Sequence, residues 1–153
     1  LAALGVGRIV LTNAARVERH YFDTHVVEAS TYRPLLIEGL QQAGDTRLPR
    51  VSVHRQFRIL VEDELDALSG GAARLVAHPG GHPSLLETAR ESPDQRVLLA
   101  IGPEGGWNEF ELDLLTGHGF RIVSMGPRIL RTDTACIALL TLLHEARRQP
   151  APR

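Results

Sequence analysis

The sequence predicts an α/β domain built on a mainly parallel sheet. Short apolar and β-branched runs alternate along the 153 residues with longer segments whose apolar residues recur at helical spacing. One run, Arg96 to Gly102, is almost wholly apolar, as expected of a strand that helices cover on both faces. Two of the runs end in glycine-containing turns that lead directly into helical segments, which is typical of parallel strand and helix units.

Five strands are predicted from these runs, and four helices lie between or after them. In chain order the strands span Arg8 to Leu11, Val51 to His54, Ala73 to His78, Arg96 to Gly102 and Phe120 to Met125. The helices span Glu28 to Ala43, Ile59 to Leu68, Asn108 to Gly117 and Thr132 to Arg147. The third helix has a clear start, because Asn108 can cap it and Glu111 follows in capping-box position. Gly117 and Gly119 then supply its stop.

Length and composition favour a single domain. A chain with 43% hydrophobic and 23% charged residues fits one globular domain, residues 1–148, followed by a proline-broken tail, residues 149–153, that we expect to be disordered. The sequence shows neither an apolar stretch long enough for a membrane span nor a signal pattern. A cytoplasmic protein without a membrane partner is therefore expected.

The charged residues exclude several chemistries. All 17 basic side chains are arginine, so a phosphate-loop lysine, a Schiff-base lysine and a lysine general base are absent from this sequence. The net charge of -1 and the pI near 6.7 are low for a nucleic-acid-binding domain, so contact with RNA would need a local basic patch. His78 and His82 lie four residues apart without a third ligand nearby, and we predict no metal site.

The segment IGPEGGWNEFE, residues 101–111, is the most informative feature of the sequence. A buried strand ends here in a glycine-rich turn that opens a capped helix, and main-chain N–H groups in such a turn can bind a ligand at close range. A purely structural turn is the alternative. The segment lacks the G-x-G-x-x-G spacing of dinucleotide-binding sites and the GK[ST] ending of a phosphate loop.

A second turn of this kind follows the fifth strand, in SMGPRILRTDTA, residues 124–135. Gly126 and Pro127 shape the turn, and Arg128 and Arg131 place two guanidinium groups near the start of the last helix. Two solvated arginines on a tight turn are the alternative interpretation.

Together the two segments resemble the RsmE-type ribosomal RNA uridine N3-methyltransferases of the SPOUT superfamily. Those proteins carry an IGPEGG turn and then an LGPRILRTETA segment in this order; here Met125 replaces the leucine and Asp133 the glutamate. LVAHP, residues 75–79, is similar to the family's strand that ends in His-Pro. The loop GDTRLP departs from the family's GRNRVP, because Asp45 replaces a basic residue and only Arg47 remains.

The resemblance implies more of the fold than periodicity predicts. It implies a SPOUT-type, mainly parallel sheet of five to six strands, with helices on both faces and a deep C-terminal trefoil knot. It also implies a pocket for S-adenosylmethionine made by three loops. The residues expected to bind this cofactor are His78, Pro79, Ile101, Gly102, Pro103, Glu104, Gly105, Met125, Gly126, Arg128, Ile129, Leu130 and Thr132.

The implied reaction is attack of a uracil N3 on the sulfonium methyl group. Arg131 is the candidate for orienting the base or stabilising charge on its carbonyl oxygens, with an ion pair to Asp133 or Glu104 as the alternative. Glu104 is the second catalytic candidate, as a partner of the sulfonium or as a proton acceptor. Its alternative role is to cap main-chain N–H groups near the helix start.

The resemblance also implies macromolecular partners. Small-subunit ribosomal RNA is the expected substrate, contacted by Arg47, Arg128, Arg131 and Trp107. Trp107 could stack on a flipped base, with core packing as the alternative. The family further implies a homodimer and a separate N-terminal RNA-binding domain, which we expect to precede Leu1. Two other functions stay open: a ribose 2'-O RNA methyltransferase of the same superfamily, and a non-catalytic RNA-binding or dimerisation module.

Overall fold

The computed structural model describes residues 1–17 and 19–148, which form an α/β arrangement. The strands are β1 (Arg8–Thr12), β2 (Arg50–His54), β3 (Ala73–Ala77), β4 (Val97–Ile101) and β5 (Arg121–Val123). The helices are α1 (Ala29–Ala43), α2 (residues 57–69), α3 (Leu85–Arg90), α4 (Glu109–Gly117) and α5 (Thr132–Arg147). Short 3-10 helices also occur before α1, at Ala2–Leu4, Arg19–Asp23 and His25–Val27. The predicted tail, residues 149–153, lies outside the described residues.

The predicted strands and helices are all present, with ends that differ by two residues at most. Helix α2 is less regular than predicted, because a π-helical turn, Leu60–Glu64, separates two α-helical pieces, Phe57–Ile59 and Leu65–Ser69. Helix α3 was not predicted. The Ser84 hydroxyl caps it by accepting the Glu87 main-chain N–H at 3.4 Å, so the pattern Ser-x-x-Glu was the available signal.

The strands form two separate sheets, and the expectation of one sheet with five to six strands is wrong. β1 pairs with β2, while β3 lies between β4 and β5, and every pair is parallel. Side-chain bonds join the β1–β2 pair to the rest of the fold where the prediction assumed a strand ladder. One of them runs from the Arg8 guanidinium to the Leu68 carbonyl oxygen, at 3.0 Å.

Helices cover both faces of the three-stranded sheet, as predicted. Successive side chains of β3 point to opposite faces, so Val76 lies on one face and Leu75 on the other, and each is at most 2% exposed. Helices α2 and α4 pack on the Val76 face, and helices α3 and α5 pack on the Leu75 face. Burial on both sides fixes the three strands, and their carboxyl ends emerge at one edge.

The capping box predicted for α4 is present, and it extends further than the sequence indicated. The Asn108 side-chain oxygen accepts the Glu111 N–H at 2.8 Å, and one Glu111 carboxylate oxygen accepts the Asn108 N–H at 2.9 Å. Glu111 is only 2% exposed, and its other oxygen accepts the main-chain N–H of Ala15 at 2.7 Å. This buried carboxylate therefore joins α4 to the segment that follows β1.

None of the helices within the described residues combines the length and the apolar character that crossing a membrane requires.

Candidate active site

A cavity of about 380 Å³ opens at the carboxyl edge of the three-stranded sheet. The loops that follow β3, β4 and β5 line it, as expected where the ends of neighbouring parallel strands meet. Every residue predicted from the resemblance to bind the cofactor is among the lining residues, from His78 and Pro79 through the 101–105 turn to Thr132. The structure thus brings the two glycine-containing turns together at one cavity, as predicted from the sequence.

The first turn presents main chain to the cavity. Its Gly106 N–H donates to the Pro103 carbonyl oxygen at 2.8 Å, which closes the turn. A Cβ atom at Gly102 would lie 3.2 Å from the Trp107 indole nitrogen and 3.3 Å from two ring carbons. Any side chain at position 102 would therefore press on the buried ring, which glycine avoids.

The second turn is held by Ser124, which is 4% exposed. Its hydroxyl donates to the Gly126 carbonyl oxygen at 2.9 Å and accepts the Gly126 N–H at 3.0 Å. Gly126 has a φ of 122°, a conformation that side-chain-bearing residues rarely adopt. The turn is therefore shaped by one buried hydroxyl and one glycine, and Arg128, Ile129 and Leu130 follow it along the cavity.

His78 brings a polar but uncharged group to the cavity wall. Its main-chain N–H donates to the Val123 carbonyl oxygen at 3.0 Å, which ties the β3 loop to β5. Its Nδ1 atom is buried and has no hydrogen-bond partner among the described residues. Burial lowers the pKa of His78, and the charge of His82, whose ring centroid lies 5.6 Å away, lowers it further. The imidazole is accordingly neutral at pH 7.

Arg131, Glu104 and Asp133 form an exposed charge cluster beside the cavity. The Arg131 Nε atom lies 3.8 Å from one carboxylate oxygen of Glu104 and 3.8 Å from one of Asp133, so both ion pairs considered as alternatives occur. The main-chain N–H of Thr134, with a smaller contribution from Arg131, lowers the pKa of Asp133. Exposed pairs at such distances contribute little free energy, so Arg131 can exchange its partners for another anion at small cost.

Arg47, the arginine predicted to contact RNA from the 44–49 loop, does not line the cavity, and its side chain is 93% exposed. Asp45 accepts the main-chain N–H groups of Thr46 at 2.7 Å and Arg47 at 3.0 Å, and these bonds, with the Arg47 bond the larger cause, lower the pKa of Asp45. Asp45 thus orders the loop in which the family commonly has a basic residue. Contact of Arg47 with RNA stays a prediction.

Trp107 lies under the first turn and is 6% exposed. Its ring packs on the Val76 face of the sheet, and its centroid lies 5.6 Å from that of the Phe57 ring, in a tilted arrangement. The indole nitrogen is buried without a hydrogen-bond partner among the described residues. Stacking on a base stays a prediction, and the observed burial favours the packing alternative.

Arg16, which was not predicted from the sequence, also lines the cavity, from the loop after β1. Its guanidinium donates to the Gly105 carbonyl oxygen at 2.5 Å. The two residues are 89 positions apart and no local motif surrounds Arg16, so the sequence offered no signal. Ala135 and Leu139 of α5 also line the cavity, and their helical spacing from Thr132 was a usable signal.

No group of three or more His, Cys, Asp or Glu side chains suited to hold a metal ion occurs in the part of the chain that the structure describes.

Comparison with known proteins identifies the family. A family model described as an RNA methyltransferase domain matches residues 1–144. The chain belongs to this RNA methyltransferase family. Curated relatives of this methyltransferase domain include the ribosomal RNA small subunit methyltransferase E of Treponema pallidum, 34% identical over 95% of the chain and 55% of that protein. The namesake from Mesomycoplasma hyopneumoniae is 45% identical over 72% of the chain and 45% of that protein. The family predicted from the two motifs is confirmed.

Solved structures agree with this family. A methyltransferase from Legionella pneumophila, determined in complex with the bound cofactor SAM, is 30% identical, with a TM-score of 0.78 over 95% of the chain and 57% of that protein. A ribosomal RNA small subunit methyltransferase E from Neisseria gonorrhoeae, 23% identical with a TM-score of 0.78, covers 94% of the chain and 56% of that protein and supports the fold. The methyltransferase domain described here spans about half the length of the curated relatives that it matches.

Proposed function

We propose that residues 1–148 are the methyltransferase domain of an enzyme that methylates a uridine at N3 in small-subunit ribosomal RNA, with S-adenosylmethionine as the methyl donor. The observation that carries this proposal is that the two glycine-containing turns line one and the same cavity. The names of the curated relatives support the substrate, and the SAM-bound Legionella structure supports the cofactor.

The residues at the cavity fit S-adenosylmethionine. A cavity of about 380 Å³ falls within the roughly 300 to 1,000 Å³ usual for small-molecule sites. Glycine-rich main chain and apolar side chains such as Leu130, Ala135 and Leu139 suit the flat adenine ring. His78 and Trp107 each have a buried nitrogen without a partner, and a polar ligand would relieve that cost.

Some residues of the chain would hold the cofactor, and others would orient the uracil base. When bound, S-adenosylmethionine supplies a methyl group on a positively charged sulfur. The turns at residues 101–106 and 124–132 would hold it, chiefly through main-chain groups. Neutral His78 adds no positive charge to the wall, which avoids repulsion of the sulfonium.

Arg131 and Glu104 are the proposed catalytic residues. Arg131 carries a permanent positive charge at the edge of the cavity, where it would stabilise negative charge on the uracil carbonyl oxygens as N3 loses its proton. The exposed carboxylate of Glu104, 3.8 Å from Arg131, is the proposed acceptor of that proton.

RNA binding would rely on individual arginines, since the net charge is only -1. Arg128 at the cavity, Arg131 beside it and exposed Arg47 are the proposed contacts. We propose a homodimer as well, because Ile129 and Ile137 leave 80% and 58% of their surfaces exposed on neighbouring parts of the chain. A ribosomal RNA substrate would place the protein in the cytoplasm.

The C-terminal trefoil knot also belongs to this proposal. Helix α5 packs against α3, and its Thr132 side chain reaches the Gly102 carbonyl oxygen at the end of β4. Such a path, from the turn after β5 back across β4, is compatible with a chain that threads through a loop.

Two measurements test the proposed function. Calorimetry of the purified chain with S-adenosylmethionine should show one site per chain, and absence of binding would favour the non-catalytic module. Small-subunit RNA from cells lacking the full-length protein should then be incubated with that protein and cofactor. Mass spectrometry should find the new methyl group on a uracil N3, whereas a methyl group on a ribose 2'-oxygen would overturn the proposed specificity.

A further inference from the structure

We propose that Arg16 is a positioning residue for the first glycine-rich turn, and that through it the β1–β2 pair controls the shape of the cofactor cavity. The inference rests on the proposed function for its ligand. The positioning itself can be tested on the protein without any ligand.

The contact between Arg16 and Gly105 is unusually close. The Arg16 Nη1 atom donates to the Gly105 carbonyl oxygen at 2.5 Å. The aliphatic part of the same side chain covers Gly105, so that a Cβ atom added there would lie 2.8 Å from the Arg16 Cβ and 3.1 Å from its Cδ. Contacts below 3.0 Å force atoms to move, so this pair requires glycine at position 105.

Arg16 can position the turn because its own backbone is held in place. The preceding Ala15 N–H donates to the buried Glu111 carboxylate at 2.7 Å. Ala14 is 9% exposed and packs in the core on the Val76 face of the sheet. The Asn13 N–H donates to the carbonyl oxygen of His54, the last residue of β2, at 3.4 Å. The loop after β1 is thus bonded both to β2 and to the start of α4, and among its described residues Arg16 extends its side chain to the cavity.

Glu111 completes the arrangement from the other side of the turn. Its second carboxylate oxygen accepts the Asn108 N–H at 2.9 Å, two residues after Gly106. The turn is therefore held at Gly105 by Arg16 and at Asn108 by Glu111. Loss of the Arg16 contact would release Gly105 and leave the capped start of α4 intact.

The variants Arg16→Met and Arg16→Lys test this role, with Arg33→Met as the matched control. Arg33 is an exposed arginine on α1 that does not line the cavity. Met retains an apolar chain but removes the donor and the charge, whereas Lys can still donate to the Gly105 carbonyl. The chain has one tryptophan, so the Trp107 indole gives a single N–H resonance next to the turn.

In the ligand-free protein, we expect Arg16→Met to shift the Gly105, Gly106 and Trp107 indole resonances and to speed amide exchange at Gly106 about tenfold. The S-adenosylmethionine Kd should rise at least about tenfold, as for loss of one hydrogen bond to a charged donor. Arg16→Lys should recover most of both effects, and Arg33→Met should show neither. Unchanged resonances and exchange in Arg16→Met would overturn the inference.

A double-variant cycle with Gly105→Ala and Arg16→Gly gives an independent test. Gly105→Ala alone should weaken cofactor binding, because its new Cβ meets Arg16. In the Arg16→Gly background the same change should have less than half of that effect. Additive effects would overturn the inference. If wild-type protein binds no S-adenosylmethionine, the proposed function fails, while the ligand-free spectra still decide the role of Arg16.

Discussion

The Thr132 hydroxyl donates a hydrogen bond to the Gly102 carbonyl oxygen at 3.1 Å, and so joins the two turns that line the cavity. Thr132 is also the first residue of α5, and Gly102 directly follows β4. One side chain thereby couples the start of the last helix to the end of a buried strand. We therefore expect this bond to help set the spacing between the turns.

We expect Thr132→Val to raise the S-adenosylmethionine Kd roughly five- to tenfold, because loss of the hydroxyl–carbonyl hydrogen bond costs about 1 to 1.5 kcal/mol. Calorimetry measures the change. Thr141→Val is the matched control, since the Thr141 hydroxyl donates to the Ile137 carbonyl on the exposed face of α5 and does not touch the cavity. Equal Kd values for wild type and Thr132→Val would show that the turns keep their spacing without this bond.

Gly102→Ala should destabilise the fold by about 1 to 3 kcal/mol, because the new methyl group would press on the buried Trp107 ring. Urea unfolding followed by fluorescence of the single tryptophan measures both the stability and the change around the ring. Gly117→Ala is the control, since a Cβ atom there meets nothing within 4 Å and it lies in α4. A Gly102→Ala protein as stable as wild type would mean that the indole can shift freely.

Glu111→Ala should lower the free energy of unfolding by about 2 to 4 kcal/mol, because it leaves the Ala15 and Asn108 N–H groups without their acceptor. Glu109→Ala in the same first turn is the control, and it should cost less than about 1 kcal/mol because Glu109 is exposed. Urea titration measures both. A similar loss in the two variants would assign the effect to the helix dipole alone.

Arg131→Ala should lower the methylation rate about 100-fold while the S-adenosylmethionine Kd changes less than twofold. Arg131 lies beside the cavity and does not line it, so its loss should remove the proposed charge stabilisation at the base and leave the cofactor site intact. Single-turnover methylation of RNA and calorimetry separate the two quantities. Arg58→Ala, which removes an exposed i,i+4 pair with Glu62, serves as control. A large rise in Kd for Arg131→Ala would instead place Arg131 in cofactor binding.

The lowered pKa of His78 should make the free energy of unfolding depend on pH. Burial holds its folded pKa below the ordinary histidine pKa of 6.5, so the unfolded chain binds a proton more readily. The stability that neutral His78 contributes is complete above pH 6.5 and is lost as the pH falls through the folded pKa. Urea unfolding at pH 7.5 and 5.5 should show a smaller loss for His78→Gln than for wild type. His25→Gln is the control, and an identical pH dependence in wild type and His78→Gln would exclude this contribution.

The sequence predicted local structure more completely than pairing. Asn108 and Glu111 marked the start of α4, because capping is a local interaction between residues three apart. The turns around Gly102 and Gly126 could be recognised as one site, because parallel strands end at a common edge. The grouping of the strands into two sheets was not predicted, because an apolar run of three to five residues does not indicate which other strand it pairs with.

The contacts missed in the site are long-range ones. Arg16 reaches Gly105 across 89 residues, and the Ala15 N–H meets the Glu111 carboxylate across 96. Neither pair shows a spacing that a helix or a strand would impose. Helix α3 is different, because Ser84 and Glu87 had the required spacing, and the apparent loop of glycine and proline before them concealed it.

The exposed positions around the cavity rest on strands that two apolar clusters hold from both sides. Arg128 and Ile129 therefore form an exposed edge of the cavity that can be varied without disturbing the packed interior, while Glu104 and Arg131 are kept for the proposed chemistry. A library limited to these two positions offers a direct route to methyltransferases with a changed choice of nucleic-acid substrate.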